Sequence, residues 1–207
     1  MSFFTDFPAI AEAAREELMR DPTGELPLFC RKQLWLAMGP LDGPEDDAPF
    51  TKGHLRRGQL FVACVEHVLP LWVAAYPEHI GPQIMLKLAR KVLDGTLDPD
   101  RADKPRDTFW TELDSWDDDE DYEFEPEYVG YGSAKLVTAA CCDIIFPDDP
   151  LPADEKDWDY DPWSWHTDFF CSLPYKGDTP PEIARLREYW LWYINQAVPE
   201  AYASVPE

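Results

Sequence analysis

Positive charge is scarce in this sequence. Its 207 residues hold 18 Lys+Arg against 41 Asp+Glu, a formal net charge of -23. Binding to nucleic-acid phosphates needs clustered cations, so no nucleic-acid partner is expected. Histidines number four, His54, His67, His79 and His166, and none falls in a His-Glu-x-x-His pattern. With no Cys-x-x-Cys pair either, a zinc site is not expected. The Gly-x-Gly-x-x-Gly fingerprint and the P-loop are also missing, so no nucleotide cofactor is expected, and no other.

Long hydrophobic runs are lacking too. The nearest candidate, Leu60 to Ala75, is interrupted by Glu66, His67 and Pro70, and no membrane partner is expected. No basic stretch precedes the apolar residues at the N-terminus, so the reading is cytoplasmic. The five cysteines are odd in number, with Cys141 and Cys142 adjacent and Cys30, Cys64 and Cys171 single in apolar stretches. They suit buried reduced thiols better than a disulfide framework. No segment alternates polar and apolar residues around hairpin turns, and neither a repeat nor a Gly/Ser linker divides the chain. A single all-α domain over residues 1–207, a multi-helix bundle with long acidic loops, is predicted.

What is present is apolar material, 45% hydrophobic and 14% aromatic, enough for a ring-rich core. Proline at the first helical position recurs as a start signal. Pro8 opens a helix with Ile10, Ala14 and Leu18 on one face, and Pro27 opens a second that Gly39 stops. A third runs from Thr51 to Ala75 as the centre of the fold, kinked or broken at Pro70. Gly81-Pro82 opens a fourth with Ile84, Leu88 and Val92 on its inner face and Gly95 as its stop. Another begins at Pro126, where Gly130 and Gly132 permit close approach of a neighbour. Asp161-Pro162 opens a helix through Trp165 and Phe169. The last begins at Thr179-Pro-Pro-Glu182 and carries Ile183, Leu186, Trp190, Tyr193, Ile194 and Ala197.

The charge is uneven. Residues 1–106 hold 13 Lys+Arg and 16 Asp+Glu, which leaves 5 and 25 for residues 107–207. The acids form two blocks, Glu112 to Glu127, which has no Lys or Arg, and Asp148 to Asp161. Crowded like charges repel one another, which an arriving cationic partner relieves. Rings interleave both blocks: Phe109, Trp110, Trp116, Tyr122, Phe124 and Tyr128 at the first, Trp158, Tyr160, Trp163 and Trp165 at the second. Rings among carboxylates match the anatomy of a protein interface. A solvated loop that only keeps the chain soluble is the alternative.

Catalytic patterns are weak. Asp157, Asp159, Asp161 and Asp168 fall at positions 1, 3, 5 and 12 of a calcium loop, but position 6 is Pro162, where the turn needs glycine. Carboxylates are too abundant for any pair to mark a hydrolase.

The segments Arg56-Arg57-Gly58-Gln59-Leu60, Val68-Leu-Pro-Leu-Trp72 with Pro77 and Pro82, and Leu88-Ala-Arg-Lys-Val-Leu-Asp-Gly95 resemble the fifth family of immunity proteins of bacterial polymorphic-toxin systems. Tyr128-Val-Gly-Tyr-Gly-Ser-Ala134, Ala140-Cys-Cys-Asp143 and Trp190 to Pro199 fit the same layout. The resemblance implies a mostly helical, non-enzymatic protein that binds a cognate toxin domain and blocks it in the producing cell. Toxins that cut nucleic acid are basic in order to hold phosphates, so a basic nuclease suits an acidic inhibitor. The residues expected to contact the toxin are Trp116, Asp117, Asp118, Asp119, Glu120, Asp121, Tyr122, Glu123, Trp158, Asp159 and Tyr160. An acidic adaptor, or a metal-dependent hydrolase using the Asp/Glu clusters, is the alternative.

Overall fold

The computed structural model describes residues 7–42, 49–116, 124–144 and 155–206. Among these the regular elements are helices: α1 (Phe7–Arg20), α2 (Leu28–Ala37), α3 (Lys52–Ala75), α4 (Gly81–Leu93), α5 (Asp100–Asp114), α6 (Phe124–Cys141), α7 (Thr167–Ser172), α8 (Pro180–Trp192) and α9 (Val198–Ser204). Short 3-10 turns occupy Asp157–Asp159, Pro162–Ser164 and Leu173–Tyr175, and a π turn, Tyr193–Ala197, joins α8 to α9. The architecture is all-α.

Local punctuation sets most of these boundaries. Pro27 is the N-cap of α2 and Pro82 the second residue of α4. At α8, Glu182 Oε2 accepts from Thr179 N at 2.9 Å and from Thr179 Oγ1 at 2.6 Å, a capping box that satisfies the exposed helix start. Gly95, at φ +73°, ends α4 in the left-handed conformation that a side chain would oppose. Its successor Thr96 donates its backbone N–H to Lys91 O at 2.9 Å.

Four segments depart from the pattern read in the sequence. Helix α5 is an addition. It is polar and carries Pro105 in its second turn, but Ala102, Phe109, Trp110 and Leu113 are buried along it. On α4 the buried residues are Pro82, Met85, Leu86, Ala89, Val92 and Leu93. The inner face is therefore rotated from the predicted one, and Ile84 is 45% exposed. The helix expected from Asp161 splits into the turn Pro162–Ser164 and α7, because Trp165 is extended (φ -69°, ψ 147°). Helix α3 runs on through Pro70 to Ala75. Beyond Pro70 only Trp72 of this helix is buried. By length and composition α3 could cross a membrane, its best 18-residue window having mean hydropathy 1.4. In this fold Leu60, Phe61, Cys64, Val65, Val68 and Trp72 supply core instead.

The chain divides into two compact units. One is drawn from Met1–Leu60, Asp143–Trp165 and Tyr175–Glu207. Here α1 packs on α2, α8 and the π turn around buried Leu18, Leu34, Trp35, Trp190, Tyr193 and Ile194. Trp35 Nε1 donates to Tyr193 Oη at 2.7 Å, so two large rings are buried with their polar atoms paired. The other unit comprises Phe61–Cys142 and His166–Pro174. Its organiser is α6, which packs on α4, α5 and α7. The two glycines of α6 make that closeness possible. A Cβ on Gly130 would lie 2.9 Å from both Leu113 and Trp72, and one on Gly132 3.2 Å from Phe170.

Candidate partner-binding surface

The segment 155–165 is built by alternation. Lys156 is extended (φ -121°, ψ 149°), so its neighbours Glu155 and Asp157 project to one side. Both turn inward onto consecutive cations of α2. Lys32 Nζ donates to Glu155 Oε2 at 2.5 Å, and Arg31 Nη2 pairs with Asp157 Oδ2. All four side chains are buried, and the Arg31 guanidinium also sits 5.4 Å from the Trp190 ring centroid. Two acids of the second acidic block are thus internal counter-ions, because α2 presents adjacent cations that need them. Burial pushes the Glu155 carboxyl up, but hydrogen bonds from Lys32 and Tyr160 outweigh it and hold it below the usual carboxylate range. The same bond to Glu155 pushes the Tyr160 phenol up.

The rest of the segment faces outward. Asp161 Oδ1 accepts from Trp163 N at 2.9 Å and so caps the turn Pro162–Ser164. Buried Trp165 closes the loop from below, its Nε1 donating to Asp157 O at 2.7 Å. Left at the surface are Trp158, Tyr160 and Trp163, exposed by 43%, 44% and 59%. Exposed Asp159 and Asp161 lie between them in sequence. Trp158 is braced. Its Nε1 donates to Glu25 Oε1 at 3.1 Å, and Lys176 Nζ sits 3.9 Å from its ring centroid while donating to the same Glu25 oxygen at 2.7 Å.

Of the residues expected to contact a partner, Trp158, Asp159 and Tyr160 therefore share this aromatic shelf. Trp116 belongs to the other unit. It is half-buried, stacked on Trp72 at 5.6 Å and packed edge-on against His79 at 5.1 Å. Asp117, Asp118, Asp119, Glu120, Asp121, Tyr122 and Glu123 lie outside the described residues. Trp163, the most exposed shelf ring, stands among the rings of the second block but not among the expected contacts. Glu25 and Lys176 carried no local signal, being 151 residues apart in the chain.

One further cluster has metal-ligand types. Asp42, His54 and Asp143 place a ligand atom each within 4.8 Å of one another. His54 Nδ1 is 2.6 Å from Asp42 Oδ2, and Thr51 N donates to Asp42 Oδ1 at 2.8 Å. Burial pushes the Asp42 carboxyl up, but the Thr51 and His54 contacts outweigh it and leave it low. Asp143, however, is already held by Arg57, whose Nε donates to Oδ1 at 2.8 Å and whose Nη2 donates to Oδ2. The cation there is the guanidinium, so the cluster is a structural clamp.

Arg57 also donates to Trp35 O, Gly39 O and Pro40 O at 3.0 to 3.2 Å, satisfying carbonyls at the C-terminal end of α2. Arg56 does the same for Met38 O and also donates to Val205 O, the residue that follows α9. Arg56-Arg57 is thus a carbonyl-capping device. Among the cysteines, burial pushes Cys30 up to about 11, Cys141 to about 12 and Cys171 well above its ordinary value. Such thiols are poor nucleophiles. Cys142, unlike the others, is exposed.

The model of a family described as Immunity protein Imm5 matches residues 11–200, nearly the whole chain. The chain belongs to the Imm5 immunity-protein family. Comparison with curated proteins finds no match. Within an Imm5 chain Arg56, Arg57 and Trp72 read as scaffold, because all three side chains are buried.

Proposed function

We propose that this Imm5 protein is a non-enzymatic inhibitor that neutralises a cognate toxin domain by binding it in the cytoplasm. The observation that carries the reading is the shelf. Three exposed rings, with two exposed carboxylates among them, are fixed by buried ion pairs at Arg31 and Lys32. Aromatic anchors on a rigid base give contact area at little entropic cost, and the carboxylates steer a positively charged surface toward it. The run Asp117–Asp121 adds five carboxylates without a cation and suits a basic partner, such as a nuclease domain that must hold phosphates.

The test is co-expression with the toxin domain encoded beside this gene, followed by co-purification and calorimetry. A stoichiometric complex that protects the cell is expected. Replacing Asp117 to Asp121 by Asn or Gln should slow association and flatten its salt dependence while leaving the helical circular dichroism intact. No complex between the purified wild-type proteins would sink the reading.

A further inference from the structure

Away from the shelf, a groove of about 860 Å³ lies between α4 and α5. Its apolar surface comes from Ile80, Ile84, Met85 and Phe109, and Ile80 and Ile84 are 59% and 45% exposed. At one end of the groove the Phe109 ring packs directly on Gly81, where a Cβ would lie 2.1 Å from it. Its two ends differ in charge. Phe109 marks the Gly81 end, and Glu112, one turn further along α5, lines the groove with Glu78. At the opposite end of α5, Asp100 is offset by Arg101 and Lys104.

His79 lines the Glu112 end and packs on Trp116. An apolar slot with Glu78 and Glu112 at one end is complementary to one kind of occupant. The geometry points to a segment of the toxin that seats an aliphatic or aromatic anchor over Ile80, Ile84 and Phe109 and directs Lys or Arg side chains at Glu78 and Glu112. This rests on the toxin-binding reading and assigns it a contact surface that the shelf does not contain. The groove supplies the desolvated anchor point, and the carboxylates supply direction.

The experiment titrates the toxin domain encoded beside this gene into full-length wild type, Ile84→Glu, and the double variant Glu78→Lys/Glu112→Lys. Both replaced surfaces are solvent-facing, so circular dichroism and melting should match wild type. Each variant is expected to lose about tenfold or more in affinity, and the double variant to show a flatter salt dependence. Wild-type binding with both variants within about twofold of it overturns the groove and leaves the toxin-binding reading standing. Absence of wild-type binding overturns the toxin-binding reading itself. A wild-type dimer that Ile84→Glu converts to monomer would give the groove to a second copy of this chain and likewise overturn the assignment.

Discussion

Arg57 holds Asp143 through both carboxylate oxygens while three of its other contacts are main-chain carbonyls at the end of α2. One buried guanidinium thus neutralises a carboxylate and finishes a helix. Arg57→Met should remove both functions at once and leave Asp143 beside Asp42 without a cation. Loss of about 3–5 kcal/mol in urea unfolding is expected, the cost of an uncompensated buried charge. Arg57→Lys should recover only part of it, because an ammonium lacks the planar fork.

Glu155 makes stability depend on pH. Its carboxyl is held below the ordinary 4.5 in the folded protein. Its contribution is therefore complete above that value and is lost as the pH falls through the lower folded value, where the unfolded chain binds the proton more readily. Glu155→Gln should be less stable than wild type at pH 7 and should lose less on acidification. Melting temperatures across the acid range would check it, and parallel curves would contradict it.

The shelf should act through its rings. Trp163 is 59% exposed, so Trp163→Ala should melt close to wild type and bind toxin about tenfold or more weakly. Trp158→Ala should weaken binding too, and additionally release Lys176 from its ring and perturb Glu25.

Gly53, in the first turn of α3, packs against the chain that leaves α2. A Cβ there would meet Pro40 O at 2.1 Å and Gly39 C at 2.7 Å, both backbone atoms. Gly53→Ala should cost about 1–3 kcal/mol or more, read as a lowered urea midpoint. Gly95→Ala meets nothing within 4 Å, so its cost is confined to the left-handed backbone and should be smaller.

Calorimetry with Ca²⁺, Mg²⁺ or Zn²⁺ should give no binding heat at the Asp42, His54 and Asp143 cluster, because Arg57 already occupies both oxygens of Asp143. Tight binding that His54→Ala abolishes would instead revive a metal-dependent chemistry.

Helix starts at Pro8, Pro82 and Thr179, the stop at Gly95, the all-α class and the family resemblance were determined by the sequence itself. The helix starts and stop depend on residues within a turn of one another, where backbone geometry and capping act without regard to the rest of the chain. The polar helix α5 was not legible, because its buried residues are too sparse to make a period until α6 supplies their partner. Nor was the inner face of α4, which only its neighbours could select. The clearest case is the second acidic block. Its composition speaks of exposure throughout, yet Glu155 and Asp157 lie buried because Lys32 and Arg31, more than 120 residues earlier, meet them. Which charge is spent inside and which is left to face a partner is decided by the surfaces that pack together, and that information resides in the tertiary structure alone.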